Sequence, residues 1–179
     1  MMATRLVLLD RDGVINRDSK QYIKSVSEWE PLPGSIEAIA QLSQAGFAVV
    51  VITNQSGIGR GFFGVQTLAE IHAEMRSRVA AAGGEIAAIF FCPHRPGDGC
   101  DCRKPKPKLL ELAAAEFGVA LKGVAFIGDK ASDVEAAITV GARPIVVGDR
   151  AGELISDTVE RCTDLAAAAR LLIAEIETA

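Results

Sequence analysis

A three-layer α/β/α sandwich on a mainly parallel sheet is what this sequence predicts, on three observations. Short runs rich in Val, Ile and Leu alternate with stretches of helical periodicity, the order produced when each strand is followed by a crossover helix. The runs are continuously apolar, as strands covered on both faces are, and do not alternate with polar residues as half-exposed strands do. Each of the first four ends in polar or metal-ligating residues, and in open parallel sheets ligands sit at the carboxyl ends of the strands.

The first strand is Arg5–Leu9, closed by Asp10. Pro31, Pro33 and Gly34 make a loop, after which Ile36, Ile39 and Ala40 mark a helix by their i, i+3, i+4 spacing. Residues 47–52 form the second strand, which runs into Thr53 and Asn54; residues 57–64 read as a loop. Leu68, Ile71, Met75 and Val79 then put one apolar stripe on a longer helix. A third strand over 86–91 ends at Cys92, and Leu109, Leu112 and Ala113 mark the next helix. Strand 124–127 leads to Asp129, a short helix follows over 132–139, and strand 144–147 precedes a last helix over 165–176. Together these elements make a Rossmann-like α/β arrangement, with the segment 15–29 as a flap over the strand ends.

At 179 residues the chain is expected to form one domain, 1–179, since domains commonly run to about 100–200 residues. The net charge of -4 and the scattered lysines and arginines leave no basic footprint for nucleic acid. Leu6 to Leu9 is too short an apolar run for a signal peptide, and no run approaches the roughly 18 residues that span a bilayer. A cytoplasmic protein with no membrane partner is expected. No heptad seam marks an obligate assembly, so a monomer is the default.

Asp10 and Asp12 stand two apart with Gly13 after them. One carboxylate can attack phosphorus while the other protonates the leaving oxygen and later activates water. Carboxylates this close repel unless a cation compensates, which implies Mg²⁺ on hard oxygen ligands. Alone, Asp-x-Asp-Gly is a common turn sequence; the rest of the chain supplies the context. Thr53, Asn54, Gln55 and Ser56 offer hydroxyls, amides and backbone N–H groups to phosphoryl oxygens. Lys104 offers a point charge and Arg103 a forked grip on a second anionic or hydroxyl group. Asp129 stands where it can complete the magnesium site, and Asp133 either braces Lys130 and the loop or caps the following helix.

Cys92, His94, Cys100 and Cys102 follow a Cys-x-His-x5-Cys-x-Cys pattern that suits a closed, structural Zn²⁺ site, because four protein ligands leave no open position for chemistry. Clustering of three of the four cysteines favours metal over disulfides in a reducing compartment. Cys162, left over, reads as a small buried apolar residue. His72 lies between apolar positions of its helix and reads as a structural histidine. Tyr22 and Trp29, in the flap, either touch substrate or pack.

The segments Asp10-Arg11-Asp12-Gly13-Val14-Ile15-Asn16, Thr53-Asn54-Gln55-Ser56-Gly57-Ile58 with Arg60-Gly61, Cys92-Pro93-His94, Cys100-Asp101-Cys102-Arg103-Lys104-Pro105 and Gly128-Asp129-Lys130 resemble the haloacid dehalogenase (HAD) superfamily of phosphatases. The resemblance implies a HAD-like fold with a small zinc-binding loop and no large cap domain. It implies Asp10 as nucleophile, Asp12 as general acid/base, and Mg²⁺ held by Asp10, the backbone carbonyl of Asp12 and Asp129. Thr53 and Lys104 would steady the phosphoryl group, Arg103 would hold the sugar or a second phosphate, and Asn54, Gln55, Ser56 and Lys130 would line the site. Asp18, Ser19, Lys20 and Gln21 match a substrate-contacting segment loosely, one residue longer than the family's pattern. Lys108 stands where a glycine is common and either adds charge near the site or faces solvent. The expected activity is removal of the C7 phosphate of a heptose 1,7-bisphosphate; histidinol phosphate is the rival substrate, and a non-catalytic zinc-loop interaction module is the rival from another class.

Overall fold

The computed structural model describes residues 5–148 and 155–178. Strands β1 (Arg5–Leu9), β2 (Phe47–Asn54), β3 (Ala88–Cys92), β4 (Ala125–Gly128), β5 (Arg143–Val147) and β6 (Glu160–Cys162) form one sheet in the order β3-β2-β1-β4-β5-β6, every pair parallel. The helices are α1 (Ser35–Gln44), α2 (Ser56–Gly59), α3 (Val65–Ala81), α4 (Lys108–Phe117), α5 (Ala131–Thr139) and α6 (Leu165–Glu177).

The period of two along the inner strands divides the core. Val7 and Leu9 of β1 and Val49 and Val51 of β2 pack with α1, α3 and α6, while Leu6, Leu8, Val50 and Ile52 pack with α4 and α5. Both sheet faces are thus covered, which is why these strands read as unbroken apolar runs. The predicted α/β sandwich is the observed architecture.

Several boundaries differ from the sequence reading. β2 runs on through Thr53 and Asn54, because β3 pairs with it as far as Asn54↔Cys92. β3 starts at Ala88, with Ile86 buried in the irregular segment before it. In α4 the buried positions are Leu109, Leu110 and Ala113, whereas Leu112 is 41% exposed; both triplets fit helical spacing, and the docking angle on β2 and β3 selects the first. β6 was not predicted. It is a three-residue edge strand carrying Glu160 and Arg161, held on β5 by parallel pairing and by Arg143, whose guanidinium bonds Glu160 and Glu175. Cys162, expected to be buried, is half-buried on that strand.

β1 and β4 are the neighbours from which the chain proceeds in opposite directions across the sheet, so the crevice between their carboxyl ends is the natural ligand position. Asp10 donates its backbone N–H to the Ile127 carbonyl at 2.9 Å, which sets the end of β1 directly beside the loop that carries Asp129. Among the described residues no helix is long and apolar enough to cross a membrane.

Candidate active site

A cavity of about 400 Å³ opens at the strand ends, lined by Asp10 and Asp12 after β1, Asn54 at the end of β2 with Gln55 and Ser56 after it, Arg103 and Lys104 before α4, and Lys130, Ser132 and Asp133 after β4. Four separate chain segments meet there because parallel strands aim all their carboxyl ends at one rim. The flap adds Asp18, Ser19, Tyr22 and Ile23.

Lys104 is the centre of the charge arrangement. Its ammonium, 4% exposed, lies 2.9 Å from Asp10 Oδ1, 2.7 Å from Asp133 Oδ1 and 2.9 Å from the Ile52 carbonyl, so all three of its donors are committed. Its backbone is gripped by Asn54, whose amide donates to the Lys104 carbonyl at 3.2 Å and whose carbonyl accepts from the Lys104 N–H at 3.1 Å. Asn54 therefore holds the lysine in place as well as lining the cavity. Burial alone would drive the Lys104 pKa down, but Asp10 and Asp133 outweigh it and hold the group above its ordinary value.

Asp10 responds in the opposite sense. Burial, and then the negative charge of Asp133, push its pKa up, against the pull of Lys104 and Lys130. Lys104 stays charged, and the charge on Asp10 is disfavoured because carboxylates crowd there: Asp10, Asp129 and Asp133, all buried, bring oxygens within 4.8 Å of one another. Lys130, at the cavity edge, pairs with Asp18 of the flap at 3.3 Å. Burial lowers the Lys130 pKa, and Asp10 and Asp129 more than offset it.

A crowded set of hard carboxylate oxygens with excess negative charge is the donor chemistry that suits Mg²⁺. The backbone here is shaped around it. Gly13 has φ 86°, and a Cβ at that position would stand 2.1 Å from Asp129 Oδ2, so only glycine lets the turn after β1 pass over Asp129. A Cβ on Gly128 would meet Asp133 Cβ at 2.4 Å. Asp133, on the first turn of α5, folds back over the end of β4, where its Oδ2 accepts the N–H groups of Asp129 and Lys130 at 3.2 and 3.3 Å.

Asp12 is held differently from Asp10. Its Oδ1 accepts from Arg11 Nε at 3.1 Å, Arg11 Nη2 at 2.8 Å and Asn16 Nδ2 at 2.9 Å, and its Oδ2 accepts from Gln55 Nε2 at 2.8 Å. Gln55 also donates to Thr53 Oγ1 at 2.9 Å. Thr53 is 1% exposed and lies beneath Gln55, outside the cavity lining. Arg103 lines the cavity and reaches the His94 carbonyl of the Cys/His loop at 3.4 Å, whereas Lys104 is held by Asn54, Ile52, Asp10 and Asp133.

In that loop Cys92 Sγ is 3.7 Å from Cys100 Sγ, 3.1 Å from Cys102 Sγ and 3.6 Å from His94 Nδ1, and His94 Nδ1 is 3.3 Å from Cys102 Sγ. A zinc tetrahedron with bonds of about 2.3 Å has edges of about 3.8 Å, so these four ligand atoms already approximate one.

Of the flap residues expected to touch substrate, Asp18 and Ser19 line the cavity; Lys20 does not, and Gln21 lines an adjacent depression with Lys24, Glu28 and Trp29. Trp29 packs in the core at 4% exposure, whereas Tyr22 lines the cavity mouth. Its ring lies 5.1 Å from that of Phe62, and the Arg60 guanidinium lies 5.9 Å from it. Lys108 opens α4, half-buried, and does not line the cavity. Asp133, expected to brace Lys130 or the loop or to cap a helix, also lines the cavity, as do Ile23 of the flap and Ser132 and Pro105, to which the sequence reading assigned no role. For Asp133 a signal existed in its place four residues after Asp129, but that spacing equally fits a plain cap.

The family model for haloacid dehalogenase-like hydrolases matches residues 4–141. A D-glycero-beta-D-manno-heptose-1,7-bisphosphate 7-phosphatase of Pseudomonas putida is 52% identical over 174 residues, covering 94% of this chain and 99% of that one. The crystal structure of D,D-heptose 1,7-bisphosphate phosphatase from Bordetella bronchiseptica, complexed with magnesium and phosphate, superimposes with a TM-score of 0.92 at 45% identity, covering 96% of this chain and 99% of that one. The corresponding Burkholderia thailandensis enzyme has a TM-score of 0.73 at 37% identity, with 95% and 99% coverage.

Proposed function

The chain belongs to the haloacid dehalogenase-like hydrolases, as a phosphomonoesterase, and on that premise we propose that it removes the C7 phosphate of D-glycero-β-D-manno-heptose 1,7-bisphosphate in the cytoplasm, leaving the anomeric phosphate in place. The observation that carries the reading is the cavity itself. Asp10, Asp12 and Lys104 line it, and Arg103, which bonds the His94 carbonyl of the Cys/His loop, supplies a further cation for a second anionic group. The likeness to enzymes named for this substrate supports the choice of sugar.

Asp10 attacks phosphorus, the bond from phosphorus to the C7 oxygen breaks, and the departing oxygen takes the proton of Asp12. The enzyme then carries an aspartyl-phosphate. Asp12, now a carboxylate, takes a proton from water as the hydroxyl attacks that phosphorus, which frees Asp10 and inorganic phosphate and returns Asp12 to its protonated form. Lys104 holds Asp10 in line and keeps positive charge under the phosphoryl group, and Ser56 and Asn54 border the space that group would occupy. Asp10, Asp129 and the Asp12 carbonyl would hold Mg²⁺, which would screen the carboxylates from the phosphate and stabilise charge on its oxygens. Cys92, His94, Cys100 and Cys102 would hold Zn²⁺ as a brace for Arg103.

The test is phosphate release with Mg²⁺ from the two anomers of heptose 1,7-bisphosphate, for the wild type and Asp10→Asn. Fast release from the β anomer, yielding heptose 1-phosphate and lost in the variant, is expected. Failure to turn over either anomer would sink the substrate assignment, and activity retained in Asp10→Asn would sink the nucleophile.

A further inference from the structure

Arg11 is the largest fully buried side chain among the described residues, at 0% exposure. A guanidinium out of water is costly unless its donors are satisfied, so its contacts indicate what it is kept for. Nε and Nη2 both bond Asp12, at 3.1 and 2.8 Å, and Nη1 lies 3.2 Å from Nε2 of His72 on α3. Arginine only donates, so Nε2 of His72 is the acceptor and the ring proton resides on Nδ1.

The pattern on Asp12 is unusual. A guanidinium facing a carboxylate commonly spans both oxygens, but here both N–H groups converge on Oδ1, where Asn16 adds a third donor at 2.9 Å. Oδ1 is saturated. Oδ2 has Gln55 alone, at 2.8 Å, and both Asp12 and Gln55 line the cavity. The carboxyl plane is fixed by these donors, and Oδ2 is the oxygen left with capacity to carry a proton and exchange it with a leaving group.

We propose that Arg11, held in turn by His72, is the positioning residue that turns Asp12 Oδ2 toward the leaving oxygen, making it the oxygen that gives and takes the proton. The inference rests on the reading of Asp12 as the acid–base group. His72 does not line the cavity and bonds Arg11 rather than Asp12; it acts by denying Arg11 any other orientation.

The readout is the ratio of kcat/KM on heptose 1,7-bisphosphate, whose alkoxide needs a proton to leave, to kcat/KM on 4-nitrophenyl phosphate, whose phenolate does not. Measured on one preparation, the ratio is independent of the fraction of protein folded. Any primary alkyl phosphate the enzyme hydrolyses can replace the heptose, so an error in the sugar does not stop the test. General acid catalysis contributes about 10²–10⁴-fold, so His72→Leu and Arg11→Lys should each lower the ratio by about tenfold or more. His72→Gln, which restores an acceptor, should recover most of it. An unchanged ratio in His72→Leu and Arg11→Lys, with the ratio reduced in Asp12→Asn, would overturn the positioning role alone. An unchanged ratio in Asp12→Asn would remove the acid–base reading and this inference with it.

Discussion

His72 should make the stability of the protein fall in acid, by an amount that follows from its surroundings. Burial, then the Arg11 guanidinium, lower its pKa from 6.5 to about 3, with Arg76 adding to the effect and Asp12 opposing it; Phe91 of β3 packs edge-on, 6.4 Å between ring centroids. The unfolded chain therefore binds a proton that the folded protein refuses throughout the window between 6.5 and 3. Stability rises with pH wherever the unfolded state holds more protons, so this contribution is intact above 6.5 and is lost as pH falls through the window. The slope for one proton is about 1.4 kcal/mol per pH unit, which gives a loss of about 2.7 kcal/mol between pH 8 and 4.5. Carboxylates also titrate near the lower end, so the assay is a difference: urea unfolding of wild type and His72→Gln at each pH. The wild type should lose about 2.7 kcal/mol more than the variant over that interval. A flat difference would mean that His72 protonates freely in the folded state, and a difference of opposite sign would mean that Asp12 rather than Arg11 governs it.

Two further outcomes are expected. Asp133→Ala leaves the buried ammonium of Lys104 with one carboxylate and frees the N–H groups of Asp129 and Lys130; breaking a buried pair costs about 3–5 kcal/mol, or about 6–20 °C in melting temperature for a chain this long, and calorimetry showing a shift under 2 °C would contradict the charge arrangement described above. Stripping metal from the Cys92, His94, Cys100 and Cys102 loop with a chelator should lower the melting temperature by about 5 °C or more and return it on adding Zn²⁺; an unchanged transition at full metal removal would count against a structural zinc.

The strands and helices of the inner sheet were legible because burial on both faces writes itself locally, as unbroken Val, Ile and Leu in β1 and β2 and as the Leu68, Ile71, Met75, Val79 stripe in α3. The Cys/His loop was legible because its four ligands, three cysteines and a histidine, lie within a span of eleven residues. Asp10, Asp12 and Asp129 were legible as strand-end carboxylates. β6 was not, since an edge strand of Glu160, Arg161 and Cys162 has no apolar signature and is defined by its pairing with β5.

What the sequence by itself determined, then, is the order of elements and the chemistry collected at their ends, for both are set by neighbours in the chain. Which partner each polar group takes was decided by tertiary structure. Asp133 bonds Lys104 across twenty-nine residues of chain, and His72 bonds Arg11 across sixty-one. Thr53, one residue from the cavity lining in sequence, lies beneath it in space. Hydrogen bonds and ion pairs in a buried site depend on positions within a few tenths of an ångström, and such positions follow from how α3, α4 and α5 dock on the sheet rather than from any local pattern of residues.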